Sequence, residues 1–330
     1  MKVGILGAGR IAAVMAETIN RMNPRTEVFL HAIGSRSLER AQAFAAEHHV
    51  PKAYGSYEEM LKDPEVDLVY IATPHSEHYA NIKACIAAGK GMLVEKSFTA
   101  NAAQAHEVIK EAEEKGVFIT EAIWTRYMPS RKVIADAITF GGIGEVHAIQ
   151  ANLSYPISNK PRITDPALAG GALLDLGVYT LNFAMMFLGH WVTEVSSSCI
   201  KGPTGVDLID NIALTFKGGK CASLMANACC PSDRMGYIYG EKGYIAVTNI
   251  NNPEKVELFN ADHQLVKTYK IPPQITGYEY QLISCRNALE RHELSCIEMS
   301  HQETIDIMEL MDELRKDWEV TFPFEEEVYE

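Results

Sequence analysis

The sequence has no stretch approaching the roughly 20 uninterrupted apolar residues that a helix needs to cross a bilayer. It also has no excess of positive charge, because 30 Lys and Arg stand against 43 Asp and Glu, for a net charge of −13. That balance argues against nucleic acid or an anionic membrane surface as a partner. Met1-Lys2-Val3 leads directly into an apolar run, so we expect no signal peptide and a cytoplasmic location.

Cysteine is present without a recognisable pattern. The seven cysteines are an odd number, and no C-x-x-C pair of the zinc-binding type occurs. Reduced thiols that pack as small apolar side chains in a cytoplasmic protein are therefore the expectation. No grouping of His, Cys and carboxylates points to a metal site, and none is predicted.

What the chain does have is a glycine motif at its start. Val3, Ile5 and Leu6 are typical of a short buried strand, and apolar residues recur at helical spacing from Ala13 onward. The six residues between strand and helix read G-x-G-x-x-A: Gly7, Ala8, Gly9, Arg10, Ile11 and Ala12. This strand–turn–helix context predicts a dinucleotide site, with the pyrophosphate on the helix N-terminus.

The second predicted strand, residues 28–34, ends in Ser35, Arg36 and Ser37. A domain selective for NAD usually has an acid here to hold the ribose 2′-hydroxyl. Arg36 instead suits a 2′-phosphate, because its planar fork can bond two oxygens. The sequence favours NADP. NAD remains an alternative if Arg36 stacks on the adenine or faces solvent.

Strand and helix patterns alternate up to about residue 121, which predicts a parallel sheet covered by helices on both faces. Beyond that point strands follow one another with short turns, such as the hairpin signal Gly218-Gly219. We therefore predict an α/β protein with a Rossmann domain at 1–121. An α+β domain at 122–330 would contain a large, mostly antiparallel, open-faced sheet.

Three residues could form a proton-transfer site. Asp175 and Tyr179 are four residues apart in a predicted helix over 171–188, which places them on one face. Lys96 ends a predicted strand. Taken alone, Tyr179 would more often be a core tyrosine and Lys96 a solvated lysine.

The chain resembles the Gfo/Idh/MocA oxidoreductases over nearly its whole length. The resemblance rests on the glycine motif, on Ala72-Thr73-Pro74-His75-Ser76-Glu77-His78, on Glu95-Lys96-Ser97 and on the run from Gly170 to Tyr179. Residues 121–127 and 165–171 are similar to the branch that contains dimeric dihydrodiol dehydrogenase and NADP-dependent D-xylose dehydrogenase. The family's motif has proline where this chain has Ser97, a change that we expect to loosen the loop.

The resemblance implies an active site between the two domains, with Lys96 as the catalytic lysine and Tyr179 as proton donor or acceptor. Asp175 would bind a substrate hydroxyl or orient Lys96, unless it is simply an acid favoured by the helix dipole. The remaining expected cofactor contacts are Ala72, Thr73, Pro74, His75, His78, Glu95, Trp124 and Arg126. Further expected substrate contacts are Trp124, Arg162 and Tyr278, for which domain packing or solvent exposure are the alternatives.

Hydride transfer at a carbinol carbon requires a matched proton transfer at its oxygen. The leading interpretation is an NAD(P)-dependent oxidoreductase for a sugar, cyclic polyol or trans-dihydrodiol, in which Tyr179 exchanges the proton and Lys96 polarises the oxygen, or the reverse. Redox-assisted glycoside hydrolysis and a non-catalytic dinucleotide-binding regulator are the alternatives. A homo-oligomer, dimer or tetramer, through the C-terminal sheet is also expected.

Overall fold

The computed structural model describes residues 1–328, which form two compact units. The first unit comprises Met1–Tyr127 and Gln274–Met308. The second comprises Met128–Pro273 and the described residues from Glu309 onward. The first unit thus extends past the expected limit of residue 121 and takes in a later segment that the sequence assigned to the second domain.

A six-stranded parallel sheet forms the centre of the first unit, in the order β3-β2-β1-β4-β5-β6. The order reverses between β1 and β4, so the carboxyl ends of these two strands border the crevice where such sheets bind ligands. The strands are β1 (Lys2–Leu6), β2 (Phe29–Gly34), β3 (Lys52–Tyr54), β4 (Leu68–Ile71), β5 (Gly91–Glu95) and β6 (Ile119–Ala122). The helices between them are α1 (Arg10–Arg21), α2 (Leu38–His48), α3 (Tyr57–Leu61), α4 (His75–Ala87) and α5 (Ala102–Lys115).

Local chemistry explains where these helices begin. The side chains of Ser37, Ser56 and Asn101 each accept a hydrogen bond from the backbone amide three residues on, which satisfies one of the free amides of the first turn. Helix α4 begins at His75, with Pro74 at its N-cap position. His75 and His78 therefore lie in its first turn.

The free edge of β6 explains why a late segment joins the first unit. The Ile119 amide donates to the Leu294 carbonyl at 2.9 Å, and the Ile119 carbonyl lies 3.0 Å from Nε2 of His301. These bonds occupy an edge that would otherwise present unpaired backbone groups. Pairing of this kind, between residues far apart in the chain, has no signature in the sequence.

An eight-stranded sheet forms the second unit, in the order β14-β13-β12-β11-β7-β10-β9-β8. Within this sheet, β7 and β10 pair in parallel and the other neighbours are antiparallel. Gly218 and Gly219, both with positive φ, form the turn of the predicted hairpin between β9 and β10. The strands are β7 (Val146–Ser154), β8 (Val192–Lys201), β9 (Asp207–Phe216), β10 (Lys220–Asn227), β11 (Gly236–Gly240), β12 (Gly243–Thr248), β13 (Lys255–Asn260) and β14 (Leu265–Tyr269). The predicted fold class is confirmed.

Alternation along these strands separates an inner and an outer face. Ile212, Leu214 and Phe216 of β9 are buried on the inner face, whereas Asn211 and Ala213 are exposed on the outer face. The helices are α6 (Pro129–Phe140), α7 (Pro161–Thr164) and α8 (Val178–Leu188), followed by α9 (Glu279–Glu290) in the first unit and α10 (His301–Asp317), which runs through both units.

The predicted helix over 171–188 is helical from Ala172 onward, although the winding of its first part is not that of an α-helix. Leu173–Gly177 forms a π-helical turn that leads into α8. The segment Pro166–Leu188 is long and apolar enough to cross a membrane by length and composition, but 83% of its most apolar window is buried inside the protein. Its apolar composition is therefore that of a core helix.

Candidate active site

The glycine turn after β1 has the geometry that a pyrophosphate site requires. Gly7 has φ +97°, and a Cβ there would lie 2.7 Å from the carbonyl oxygen of Ala72, so only glycine fits. A Cβ at Gly9 would meet no atom within 4 Å, which leaves its backbone open to a ligand. Ala12 is fully buried, as the close packing of helix on strand demands.

Two arginines lie near this turn. Arg36 is exposed directly after β2, beyond the buried Ser35, whose amide donates to the Tyr54 carbonyl at 3.1 Å. Arg40, in the first turn of α2, donates from Nη2 to the carbonyl of Ala8 at 3.2 Å. Burial raises the pKa of the Tyr57 hydroxyl, and both guanidinium charges oppose this shift. Sequence reasoning missed Arg40, although its position three residues after the N-cap Ser37 was a usable signal.

The loops after β4 and β5 are joined by histidines. Nε2 of His78 lies 2.9 Å from the Thr73 carbonyl, and Nδ1 lies 2.9 Å from the Ser97 carbonyl. Nε2 of His75 lies 3.2 Å from the Lys96 carbonyl. The histidine rings therefore contact the backbone of the loop that the Ser97 substitution is expected to loosen. The Lys96–Ser97 peptide is cis.

His78 has no exposed surface, and burial lowers the pKa of its imidazole. The ring lies between the carbonyls of the loops after β4 and β5, and its expected contact with a cofactor stays a prediction. Thr73, Pro74 and His75 stay partly or fully exposed at the carboxyl end of β4, while Ala72 is 8% exposed.

Glu95 and Lys96 complete this edge of the sheet. Glu95 accepts a hydrogen bond from the Tyr70 hydroxyl and a second, at 3.2 Å, from the Lys96 amide. Its side chain is 7% exposed, which leaves little surface for the cofactor contact expected of it. The Lys96 side chain is half-buried.

A buried charge cluster lies beyond β6. Arg126 forms an ion pair with Glu303, and its side chain has no exposed surface. This ion pair anchors the Trp124–Arg126 turn, and the expected contact of Arg126 with a cofactor stays a prediction. Burial raises the pKa of Glu121, next to this pair, to about 7, although the Arg126 charge opposes the shift.

The first unit brings together two of the predicted substrate contacts. The rings of Trp124 and Tyr278 stack with centroids 4.3 Å apart and planes inclined by 6°. Trp124 is 6% exposed and Tyr278 is half-buried. One face of the indole is therefore covered by tyrosine.

The second unit brings together another predicted pair. Nη2 of Arg162 lies 3.1 Å from Oδ2 of Asp175, whose side chain is 8% exposed against 49% for the arginine. Asp175 lies at the middle of the π-helical turn, and Tyr179, 8% exposed, lies in the first turn of α8. Lys96 belongs to the first unit.

One cluster unforeseen in the sequence has the composition of a metal site: His31, Asp63 and Glu65. Nζ of Lys52 lies 3.0 Å from Asp63 and 2.7 Å from Glu65, and the Tyr54 hydroxyl donates to Asp63 at 2.8 Å. Burial favours a raised pKa for Asp63, but these hydrogen bonds outweigh it and hold the pKa well below its usual range. The two carboxylates are thus already bound by the Lys52 ammonium, and the cluster is an ion-pair network.

Comparison with known proteins decides the family. Residues 1–122 match a family model described as an oxidoreductase family with an NAD-binding Rossmann fold, and residues 132–246 match the GFO/IDH/MocA C-terminal domain. Trans-1,2-dihydrobenzene-1,2-diol dehydrogenase of Sus scrofa is 33% identical over an alignment of 332 residues that covers 98% of each chain. The Homo sapiens protein of the same name is 31% identical over 98% of each.

The chain belongs to the Gfo/Idh/MocA oxidoreductase family. Among solved structures, KijD10, a 3-ketoreductase from Actinomadura kijaniata in complex with NADP and TDP-benzene, is 25% identical with a TM-score of 0.83, covering 96% of this chain and 97% of that one. UDP-N-acetylglucosamine 3-dehydrogenase GnnA from Acidithiobacillus ferrooxidans shares the fold, with a TM-score of 0.80, 21% identity and 97% coverage of both chains.

In a Gfo/Idh/MocA oxidoreductase, the open glycine turn is the place where the dinucleotide cofactor would bind. The free backbone at Gly9 and the first-turn amides of α1, including those of Arg10 and Ile11, fit the pyrophosphate of a nicotinamide dinucleotide. The resemblance inferred from the sequence motifs is confirmed, as is the assignment to NAD(P)-dependent enzymes.

Proposed function

We propose that this oxidoreductase interconverts a carbinol and a carbonyl on a sugar, cyclic polyol or trans-dihydrodiol, with NADP preferred over NAD. The observation that carries the proposal is the full-length similarity to dihydrodiol dehydrogenases, combined with the open glycine turn beside two arginines. The bound dinucleotide would supply the hydride chemistry, and the protein the orientation and the proton transfer.

Positive charge after β2 favours NADP over NAD. Arg36 and Arg40 follow β2, where a domain selective for NAD usually has an acid. Arg40 is held against the turn by its bond to Ala8, so little side-chain entropy is lost when it binds an anion. Two guanidinium groups would pair with the 2′-phosphate that distinguishes NADP from NAD.

Lys96, Tyr179 and Asp175 are the proposed catalytic residues. Tyr179 would exchange the proton of the reacting hydroxyl, and Lys96 would polarise its oxygen, since an ammonium near a phenol favours the phenolate. Asp175 would bind a substrate hydroxyl, with Arg162 fixing its carboxylate. Trp124, supported by Tyr278, would offer an apolar ring face to the substrate.

A homo-oligomer through the outer face of the second sheet is part of the proposal, with a second copy of the chain as the occupant. That face carries an aromatic row in which Tyr237, Tyr239 and Tyr244 contact one another and Tyr244 stacks on Phe259 at 4.9 Å. Tyrosines are enriched in protein interfaces. Beside Tyr239 lies a groove of about 520 Å³ lined largely by small residues such as Ala148, Ala213 and Ser223.

We also propose a cytoplasmic location. All seven cysteines are free, and Cys221, Cys229 and Cys230 are exposed. Exposed free thiols are typical of reducing compartments.

The first experiment is a substrate screen that follows the absorbance of reduced nicotinamide with NAD and with NADP. Aldoses, inositols, trans-diols and glycosides would be offered to the oxidised cofactors, and the corresponding carbonyl compounds to the reduced ones. We expect a net absorbance change with at least one class and a higher kcat/KM with NADP. Turnover of a glycoside without net absorbance change would establish redox-assisted hydrolysis, and cofactor binding without any turnover would indicate a regulator.

A further inference from the structure

Two aspartates at the start of β9 are buried beneath the π-helical turn. Asp207 is 1% exposed and Asp210 is 0% exposed. Oδ2 of Asp207 accepts a hydrogen bond from the backbone amide of Leu173 at 2.6 Å, and Leu173 is the first residue of the turn. The carboxylate therefore holds the amide that opens the π-helical winding.

Asp210 has no such donor. Neither of its oxygens finds a hydrogen-bond donor among the residues that the structure describes, and the group that faces it is the carboxyl of Asp207. Two ionised carboxylates in contact without solvent would destabilise the folded state by several kcal/mol, which is on the order of the free-energy penalty for an unpaired buried charge. One proton shared between the two groups removes that cost, as in other carboxyl pairs.

The surroundings decide which aspartate holds the proton. Burial raises the pKa of Asp207, while the Leu173 amide and the Arg315 charge lower it. Burial and the neighbouring Asp207 together raise the pKa of Asp210 well above its usual value. Cys199 on β8 faces Asp210 across the strand pair, and its pKa is raised to about 11 by burial, so it is a neutral thiol. The arrangement favours an ionised Asp207 and a protonated Asp210.

Arg315, the charged group that acts on Asp207 from α10, does not neutralise the pair by itself. Its guanidinium is engaged by Glu325 at 2.8 Å and by Asp312 at 3.0 Å. Its charge is therefore largely balanced by other acids.

The pair is also fitted to the backbone before the turn. Gly171 has φ +132°, and a Cβ there would lie 2.3 Å from Oδ1 of Asp207. The carboxylate thus sits directly against residues 171–173. Asp175 follows two residues after Leu173, so its position depends on the winding that Asp207 fixes.

We propose that Asp207 and Asp210 form a proton-sharing carboxyl pair that positions the π-helical turn, and through it Asp175. Both are positioning residues, since neither is placed to touch the substrate. The effect on substrate binding rests on the proposed function of Asp175. The proton shared by the two aspartates does not depend on that proposed function.

The first test measures the shared proton without any substrate. Chemical unfolding of the wild type and of Asp210→Asn would be followed between pH 4 and 8. The folded wild type keeps a proton that the unfolded aspartate loses above about pH 3.9, so its stability falls as pH rises, up to the raised pKa of the pair. The variant lacks this proton. We expect the ratio of the unfolding constants, wild type to variant, to rise by up to about tenfold per pH unit. Parallel profiles would overturn the shared proton.

The second test measures positioning. We expect Asp210→Ala to lower kcat/KM by roughly 10- to 100-fold at unchanged cofactor affinity, and Asp210→Asn to restore most of it, because an amide donates to Asp207 as the proton does. Asp262→Asn, at an exposed site, is the matched control. Equal losses in both Asp210 variants would contradict positioning. If Asp210→Ala does not fold, the unfolding test still decides the shared proton, because it uses only the wild type and Asp210→Asn. A wild type without oxidoreductase activity would count against the proposed function alone, because the unfolding test needs no turnover.

Discussion

Arg36 and Arg40 are the residues on which cofactor choice is expected to depend. We predict that Arg40→Ala and Arg36→Ala each raise the Kd for NADP by about 10- to 150-fold and change the Kd for NAD little, because a charge-assisted bond to phosphate is worth about 1.5–3 kcal/mol. Titration of each variant with both cofactors checks this. Arg25→Ala, in the Pro24–Thr26 turn, is the control. Equal weakening for NAD and NADP would show that the arginines do not read the 2′-phosphate.

We expect the stability of the protein to depend on pH through Glu121. Burial raises its pKa from 4.5 to about 7 in the folded state, against the charge of Arg126 and with a smaller contribution from Glu95. A group whose pKa is raised in the folded state stabilises that state fully at pH values below its pKa in the unfolded state. This stabilisation is lost as the pH rises towards 7. Glu121→Gln should therefore gain about 3 kcal/mol of unfolding free energy relative to the wild type between pH 4.5 and 7. Urea unfolding at several pH values measures the difference, and a constant difference would contradict the assignment.

Single residues differ in how far their sequence context predicts them. Gly7 and Gly9 follow from the spacing of a motif whose geometry is set by the backbone alone. His78 and Arg126 also stand in motifs, but their side chains turn inward to backbone carbonyls and to Glu303. A motif gives the residue and not the direction of its side chain, so cofactor contact and internal support look alike in sequence.

At the scale of elements, the strand–turn–helix at the start of the chain makes a matched pair of predictions possible. Gly7→Ala introduces strain at φ +97° and a contact of 2.7 Å with the Ala72 carbonyl, so we expect a loss of about 1–3 kcal/mol in stability. Gly9→Ala meets no protein atom and should leave stability nearly unchanged. Its methyl group should instead weaken dinucleotide binding, because it occupies the approach to the pyrophosphate. Thermal unfolding and cofactor titration on both variants distinguish the two effects, and a Gly9→Ala protein with normal affinity would refute the placement.

Most elements were predictable because apolar runs and glycine turns are local signals. The hairpin at Gly218-Gly219 and the buried strand β4 are examples. The π-helical turn was not predictable, since its winding is held by Asp207, which lies in a strand beyond α8. The same reason explains the late segment at β6, where Leu294 and His301 bond an edge formed much earlier in the chain.

For the whole molecule, the outer face of the second sheet predicts association. We expect the wild type to be an oligomer in solution and Tyr239→Asp to shift it toward the monomer, because a charge would be buried in the interface without a partner. Phe140→Ser is the control, since Phe140 is 81% exposed on α6 rather than on this face. Sedimentation or light scattering gives the mass. A wild-type monomer, or an unchanged mass in Tyr239→Asp, would contradict the proposed interface.

Lys96 and Tyr179 are proposed to handle the proton that accompanies hydride transfer. The most direct measurement is the initial rate of reduced-nicotinamide absorbance change for the wild type, Lys96→Ala and Tyr179→Phe, with cofactor affinity determined for each and Lys132→Ala as control. We predict a loss of roughly 10²- to 10⁴-fold in kcat for both variants, with cofactor binding retained. Near wild-type turnover in both variants would contradict it.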